Sequence, residues 1–401
     1  MKKEYEKEEQ AFIREHIATR KNPKRIFMTI LSTVGIALLF GAVAGVTFSA
    51  TRRIMEEDRM YDTPIMGTVS HSLENVDAEN TSSKPQILPQ NSGNEKLRGV
   101  YKNTEKALLR VEVSTTEGAN LFGREVTSVS HNFGVIIAES RTYIYALYDS
   151  SQEKNGSTVD IYYDNTPLTY EVMGKDPISG LAVIRAEARQ IETEYSVVSI
   201  GNSSPITVTD DIYMIGTQTG RFVALEAGTV IIVTDDEEVT DGYRKLIYTT
   251  MHRDNYTSAM LLNEGGELVG WVSNTTARDS NQAIGWAFNT LRHVVENYCY
   301  EMKTAYLGLC GRRVTGEEAI SLSRASGYYI QRMDNNSPAL NAGLRTSDRI
   351  LSIDGNQISS GRALLVFLEE KKPGQTVVVN VARKNGSDEE ILEIPVRLGV
   401  R

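Results

Sequence analysis

Two adjacent hydroxyls, Thr257 and Ser258, stand between a histidine and a glycine pair in the stretch MHRDNYTSAMLLNEGGELVGW, residues 251–271. A hydroxyl attacks a carbonyl only when a base within hydrogen-bond reach takes its proton and a third group fixes that base. His252 and Lys245 precede the hydroxyls and are candidate bases by position. No orienting carboxylate is placed beside either by its spacing, and His252 reads as a solvated loop residue. His131, ahead of an apolar run, and His293, in a helical stretch, read as surface residues. His71 lacks partners for a metal, and no metal or cofactor is expected.

Such a site needs a rigid framework. Phe133-Gly134-Val135-Ile136-Ile137, Asp176-Pro177-Ile178-Ser179-Gly180-Leu181-Ala182-Val183-Ile184, Asp211-Ile212-Tyr213-Met214-Ile215-Gly216 and Ala227-Gly228-Thr229-Val230 are rich in β-branched residues and punctuated by Gly and Asp, so they read as strands. In this order they resemble the HtrA family of membrane-linked or periplasmic serine proteases, from about Gly99 to the C-terminus. The first is similar to the family's G-S-G-V-I-I strand, the second to its D-P-x-T-D-L-A-V-I, and the last two to the opening of its second barrel. Residues 263–270 are similar to the hairpin and strand after its nucleophile. The resemblance implies a mainly β fold, with a two-barrel chymotrypsin/trypsin-like domain over residues 99–300.

The same resemblance implies where a catalytic triad would lie. Counting back from residues 263–270 puts the nucleophile position on Thr257, with Ser258 at the first of the following glycine positions and as the alternative nucleophile. The family's I-L-T-N-N-H-V-V corresponds to Ile144-Tyr145-Ala146-Leu147-Tyr148-Asp149-Ser150-Ser151, which places Asp149 where the base belongs, and the orienting aspartate becomes Gly180. A slip of one residue offers Tyr148 or Ser150 for the base and Ser179 or Leu181 for the orienter, and none of these rebuilds a triad. An ordinary aspartate titrates near pH ~3.9 and accepts a hydroxyl proton poorly. Asn255, Ser258 and Ala259 replace the loop glycines that free an oxyanion hole.

Over residues 303–401, Tyr306-Leu307-Gly308-Leu309-Cys310-Gly311, Gly327-Tyr328-Tyr329-Ile330, Asn336-Ser337-Pro338-Ala339-Leu340-Asn341-Ala342-Gly343-Leu344 and Asp348-Arg349-Ile350-Leu351-Ser352-Ile353-Asp354-Gly355 resemble a PDZ domain of the HtrA type. That resemblance implies that Leu307-Gly308-Leu309 forms a turn whose N–H groups capture a peptide's terminal carboxylate, with the next strand pairing along the peptide. Residues 361–370 read as the opposite wall, a helix with Leu364 and Leu368 on one face. They either line the pocket for an apolar terminal side chain or fill the domain core. Peptides or proteins with apolar C-termini are the expected partners.

The 401-residue chain is 40% hydrophobic and carries a net charge of −9. It is long enough for two or more cores, and without a basic stripe it is not expected to bind nucleic acid. Residues 26–50 are apolar and uncharged, about 37 Å long as a helix, and predict one transmembrane signal anchor. Arg20, Lys21, Lys24 and Arg25 place residues 1–25 in the cytoplasm and the bulk of the chain outside the cell membrane. Residues 51–98 read as a flexible linker. Cys299 and Cys310 stand outside the membrane, either bridged or as two buried thiols. Family resemblance implies a homo-trimer, and a mixed oligomer with an active paralogue is a third expectation. The favoured function is a membrane-anchored pseudoprotease that binds peptide C-termini or misfolded envelope proteins as a scaffold, sensor or holding factor. The alternative is an active endopeptidase of envelope quality control using Thr257 or Ser258 with a non-standard base.

Overall fold

The structure is a computed structural model that describes residues 62–67, 92–119, 125–218, 222–253, 256–276, 281–385 and 388–401. The expected cytoplasmic segment and transmembrane helix lie outside these residues. Among the described residues no helix is long and apolar enough to cross a membrane.

Part of the expected linker is structured. Residues 65–66 form β1 (Ile65–Met66), which pairs with the later strand around Ala138, and α1 (Ser92–Thr104) begins inside the same stretch. The cause is apolar anchoring: Val100 is buried in the main core, with Leu97 and Tyr101 packed against it.

Eight strands form the first sheet. β2 (Leu108–Ala119), β3 (Glu125–Glu139), β4 (Tyr143–Asp149), β5 (Thr158–Tyr163), β6 (Thr166–Pro167), β7 (Tyr170–Asp176) and β8 (Leu181–Glu187) run in the order β6-β5-β2-β3-β4-β8-β7, with β1 added to β3. All of its pairings are antiparallel. The expected first barrel is therefore an open sheet among the described residues. Its edges are managed locally. Pro167 has no N–H to offer a further strand, which suits an edge position. At the other end Tyr298, on α2 (Arg292–Cys299), lays its ring against Gly174 and donates its hydroxyl to the Lys175 carbonyl at 3.0 Å.

The second half does close. β9 (Asp211–Gln218), β10 (Phe222–Val233), β13 (Leu246–His252), β14 (Tyr256–Leu262), β15 (Leu268–Val272) and β16 (Gln282–Ala287) make a barrel in the order β10-β13-β16-β15-β14-β9. Between β10 and β13 a separate hairpin, β11 (Glu237–Val239) and β12 (Gly242–Arg244), leaves the barrel. One apolar cluster joins both halves, with Val135, Leu147 and Val183 from the sheet and Met260, Trp271 and Ile284 from the barrel. The Phe133 and Trp271 rings meet across it with centroids 5.6 Å apart.

The C-terminal region has its own core. β17 (Ala305–Tyr306) pairs with β24 (Gly399–Val400), while β18 (Leu309–Val314), β19 (Gly327–Met333), β20 (Arg349–Ile353), β22 (Thr376–Asn385) and β23 (Asp388–Arg397) form a sheet in that order, with β21 (Asn356–Gln357) on β20. Helices α3 (Gly316–Ser321), α4 (Pro338–Asn341) and α5 (Gly361–Glu369) complete it. The sequence motifs have local causes. Ser337 accepts from the Leu340 N–H and Pro338 opens α4, an N-cap followed by the residue type suited to a first turn. Asp348, buried, accepts from the Arg345 N–H and from the Arg383 guanidinium at 2.7 Å. Cys299 and Cys310 are both free and buried, so no bridge links the two regions.

Candidate functional site

Two of the three expected triad positions, Asp149 and Gly180, lie side by side, and the third, Thr257, lies on a separate strand. Asp149 ends β4 and is fully buried. Its Oδ1 accepts from the Ser151 N–H at 2.9 Å, whereas Oδ2 finds no hydrogen-bond partner among the described residues. Burial pushes its carboxyl up to about 6, against smaller opposing contributions from hydrogen bonds at Ser151 and Asn274 and from the Arg253 charge. The expectation of an ordinary aspartate is thus corrected, because a buried carboxylate loses the water that stabilises its charge.

Gly180 sits between β7 and β8 with φ +72°, a backbone that side chains rarely adopt. A Cβ there would stand 2.8 Å from the Ser151 Cβ and 2.9 Å from Asp149 Oδ1. The turn is held by Asp176, which accepts from the Ser179 hydroxyl at 2.7 Å, and by the Ser273 hydroxyl, which donates from the barrel to the Ser179 carbonyl at 2.7 Å. Gly180→Asp is therefore expected to destabilise by about 2 kcal/mol or more, from backbone strain and from a second carboxylate against Asp149. A thermal melt of the variant tests this, and an unchanged midpoint would show that the turn relaxes freely.

Thr257 and Ser258 do not lie on an open loop. They belong to β14, where Tyr256 faces Gln218 and Ala259 faces Gly216, so one extra residue bulges from the strand between those pairs. The Ser258 side chain is fully buried and its Oγ has no hydrogen-bond partner among the described residues. The other candidate bases point elsewhere. His252 is exposed on β13, and Lys245 lies 3.7 Å from Asp236. His131 sits with its Nδ1 3.5 Å from Glu112. His293 corrects the surface expectation: it is partly buried on α2, and burial together with the Arg244 charge drives its imidazole down to about 3, leaving it neutral.

At the second candidate site, the N–H groups of Leu307, Gly308 and Leu309 converge on one carboxylate. It belongs to Asp241 of the β11–β12 hairpin: Leu307 donates at 2.9 Å, Gly308 at 2.8 and 2.9 Å, and Leu309 at 3.1 Å. The Leu307 and Leu309 side chains point into the domain core, as does Leu364. Leu368 shares that core but also lines a cavity beside Asp241. Sequence reasoning missed Asp241. Its only local signal is Thr240-Asp241-Gly242 between two short strands, a hairpin turn composition that says nothing about a partner.

Comparison with known proteins agrees with this architecture. A family described as PDZ domain matches residues 294–396. The periplasmic serine endoprotease DegP of Escherichia coli (strain K12) is 25% identical over 278 residues, covering 67% of this chain and 57% of DegP. The serine protease Do-like HtrA of Bacillus subtilis (strain 168) is 22% identical over 322 residues, covering 73% of this chain and 71% of that protein. The chain thus spans little more than half the length of the DegP relatives it matches. Among solved structures, the HtrA-type protease AlgW with decapeptide has the same fold at a TM-score of 0.55 and 18% identity, covering 76% of this chain and 98% of AlgW. In the order of its folded parts the chain is similar to these HtrA-type relatives, with a trypsin-like fold followed by a PDZ domain.

Proposed function

We propose that this chain is a membrane-anchored, HtrA-like pseudoprotease that binds peptide C-termini or misfolded envelope proteins through its PDZ domain. The observation that carries the reading is a pair of orphaned groups, one at the base position and one at the alternative nucleophile: Asp149 Oδ2 and Ser258 Oγ are buried, and neither has a hydrogen-bond partner among the described residues. A hydroxyl without an acceptor keeps its proton, and Gly180 supplies no carboxylate to orient a base. The binding half is supported by the convergent N–H groups at residues 307–309, and by AlgW, which has been solved with a decapeptide and with a tripeptide. Residues 26–50 would anchor the chain, with the folded region outside the cell membrane, as a homo-trimer or in mixed oligomers with an active paralogue.

Purified chain incubated with unfolded casein and a fluorophosphonate probe is expected to show neither cleavage nor labelling. Labelling abolished by Thr257→Ala or Ser258→Ala would overturn the reading.

One observation favours a second reading, an active endopeptidase. Asp149 titrates at about 6, close to where an imidazole does, so it is a better proton acceptor than an ordinary aspartate. In that case casein cleavage would rise with pH through about 6 and vanish in Asp149→Asn.

A further inference from the structure

The β11–β12 hairpin belongs by sequence to the trypsin-like domain, yet its tip is buried in the PDZ domain. Val239 pairs with Gly242 across the two-residue turn Thr240-Asp241, and Asp241 adopts φ +57°, a left-handed backbone that Asp tolerates better than most residues. This conformation accompanies a carboxylate aimed at the three N–H groups of residues 307–309. Asp241 also donates its own N–H to the Leu309 carbonyl at 2.8 Å. The two contacts together have the form of an extended peptide ending on that strand: a carboxylate in the turn, and the amide of the same residue bonded to the strand that follows.

The rest of the hairpin fills the space between β18 and α5. Tyr328 donates to Glu238 at 2.9 Å, Thr240 donates to Asp334 at 3.2 Å, and Arg362 on α5 grips Asp236 through two bonds of 2.8 and 2.9 Å. The approach is tight enough to require glycine at the start of α5. A Cβ on Gly361 would lie 2.2 Å from the Gly242 carbonyl oxygen. Beside Asp241 a cavity of about 50 Å³ remains, with Ala305, Met302, Leu365 and Leu368 in its lining, so the hairpin leaves apolar room next to the carboxylate.

We propose that the PDZ groove takes an internal ligand, the Glu237–Val239/Gly242–Arg244 hairpin, whose Asp241 carboxylate occupies the terminal-carboxylate site. A peptide C-terminus then binds only by displacing it. The proposal rests on the peptide-binding reading above. Exclusion follows from valence. Each backbone N–H has one proton to give, and those of Leu307, Gly308 and Leu309 are already engaged by Asp241, so a second carboxylate finds no donor. The hairpin competes intramolecularly, at an effective concentration of the order of millimolar, so weak incoming termini are rejected. Its Asp side chain is one methylene longer than a backbone carboxylate and places no apolar group in the cavity. A peptide ending in an apolar residue fills that space and gains the contact the hairpin lacks.

The test uses the full chain, a fluorescein-labelled decapeptide ending in a free valine, and its amidated twin, with fluorescence anisotropy as the readout. Asp241→Gly retains the left-handed turn and removes the carboxylate, while Asp241→Asn retains the shape and removes the charge. Both variants are expected to bind the free-valine peptide at least about tenfold more tightly than the unmodified chain, with the amidated peptide little changed. Amide hydrogen exchange is expected to speed up at residues 307–309 in the unliganded variants and to slow again on adding the free peptide. Equal affinity for the variants and the unmodified chain overturns the internal-ligand proposal while leaving peptide binding intact. Unchanged exchange at residues 307–309 overturns it as well. No binding to any of the three proteins overturns both the proposal and the reading beneath it.

Discussion

Asp176→Ala is expected to lower the stability of the trypsin-like region by about 3–5 kcal/mol, because it strands a buried cation. Asp176 is 1% exposed and Arg244 2% exposed, with Arg244 Nη2 3.7 Å from Asp176 Oδ2. Arg401 approaches the other oxygen, also at 3.7 Å. Burial already pulls the Arg244 guanidinium below its ordinary range, and the Asp176 charge is the main influence opposing that shift. Removing the carboxylate also deprives the Ser179 turn of its acceptor. Asp176→Asn separates the two effects, since it keeps an acceptor for Ser179 and loses only the charge. The readout is urea unfolding followed by the fluorescence of Trp271 and Trp286, both buried in this region. A midpoint lowered by about 1 M or more is expected for alanine, with a smaller fall for asparagine. An unchanged midpoint would mean that Arg244 finds water or another anion.

Asp149→Asn should act in the opposite direction at neutral pH. The carboxyl moves from an ordinary 3.8 to about 6 on folding, chiefly through burial, so between those values the folded chain holds a proton that the unfolded chain has lost. Stability contributed at this site is therefore full below pH ~4 and falls as pH rises through about 6. The total is on the order of 3 kcal/mol, at about 1.4 kcal/mol per pH unit. Asparagine cannot ionise. The variant should thus melt above the unmodified chain at pH 7 and near it at pH 4. Equal melting at both pH values would mean that Arg253 and the Ser151 and Asn274 hydrogen bonds neutralise the cost of burial.

The sequence was most informative where the cause of structure is local. β-branched runs between Gly and Asp marked β3, β8 and β9. It was least informative where the cause lies far along the chain. The elevated titration of Asp149 comes from its surroundings, which no window around residue 149 contains. Asp241 and Leu307 meet across 66 positions of sequence, and nothing in either segment names the other. The open first sheet is a similar case, because its far edge is finished by Tyr298 from α2 rather than by a strand partner. Lys245 and His252 show the converse, since both are near Thr257 along the chain, yet Lys245 lies 3.7 Å from Asp236 and His252 is exposed, in keeping with its reading as a solvated residue.

The cradle around Asp241 is made entirely of main-chain N–H groups, and every residue except proline carries one. A side-chain triad is extinguished by a single exchange at any of its three members, whereas exchanging Leu307 or Leu309 for another apolar residue leaves every donor of the cradle in place. The two kinds of site therefore differ in what a substitution removes: a triad loses its chemistry with one side chain, whereas this cradle loses a donor only where proline enters.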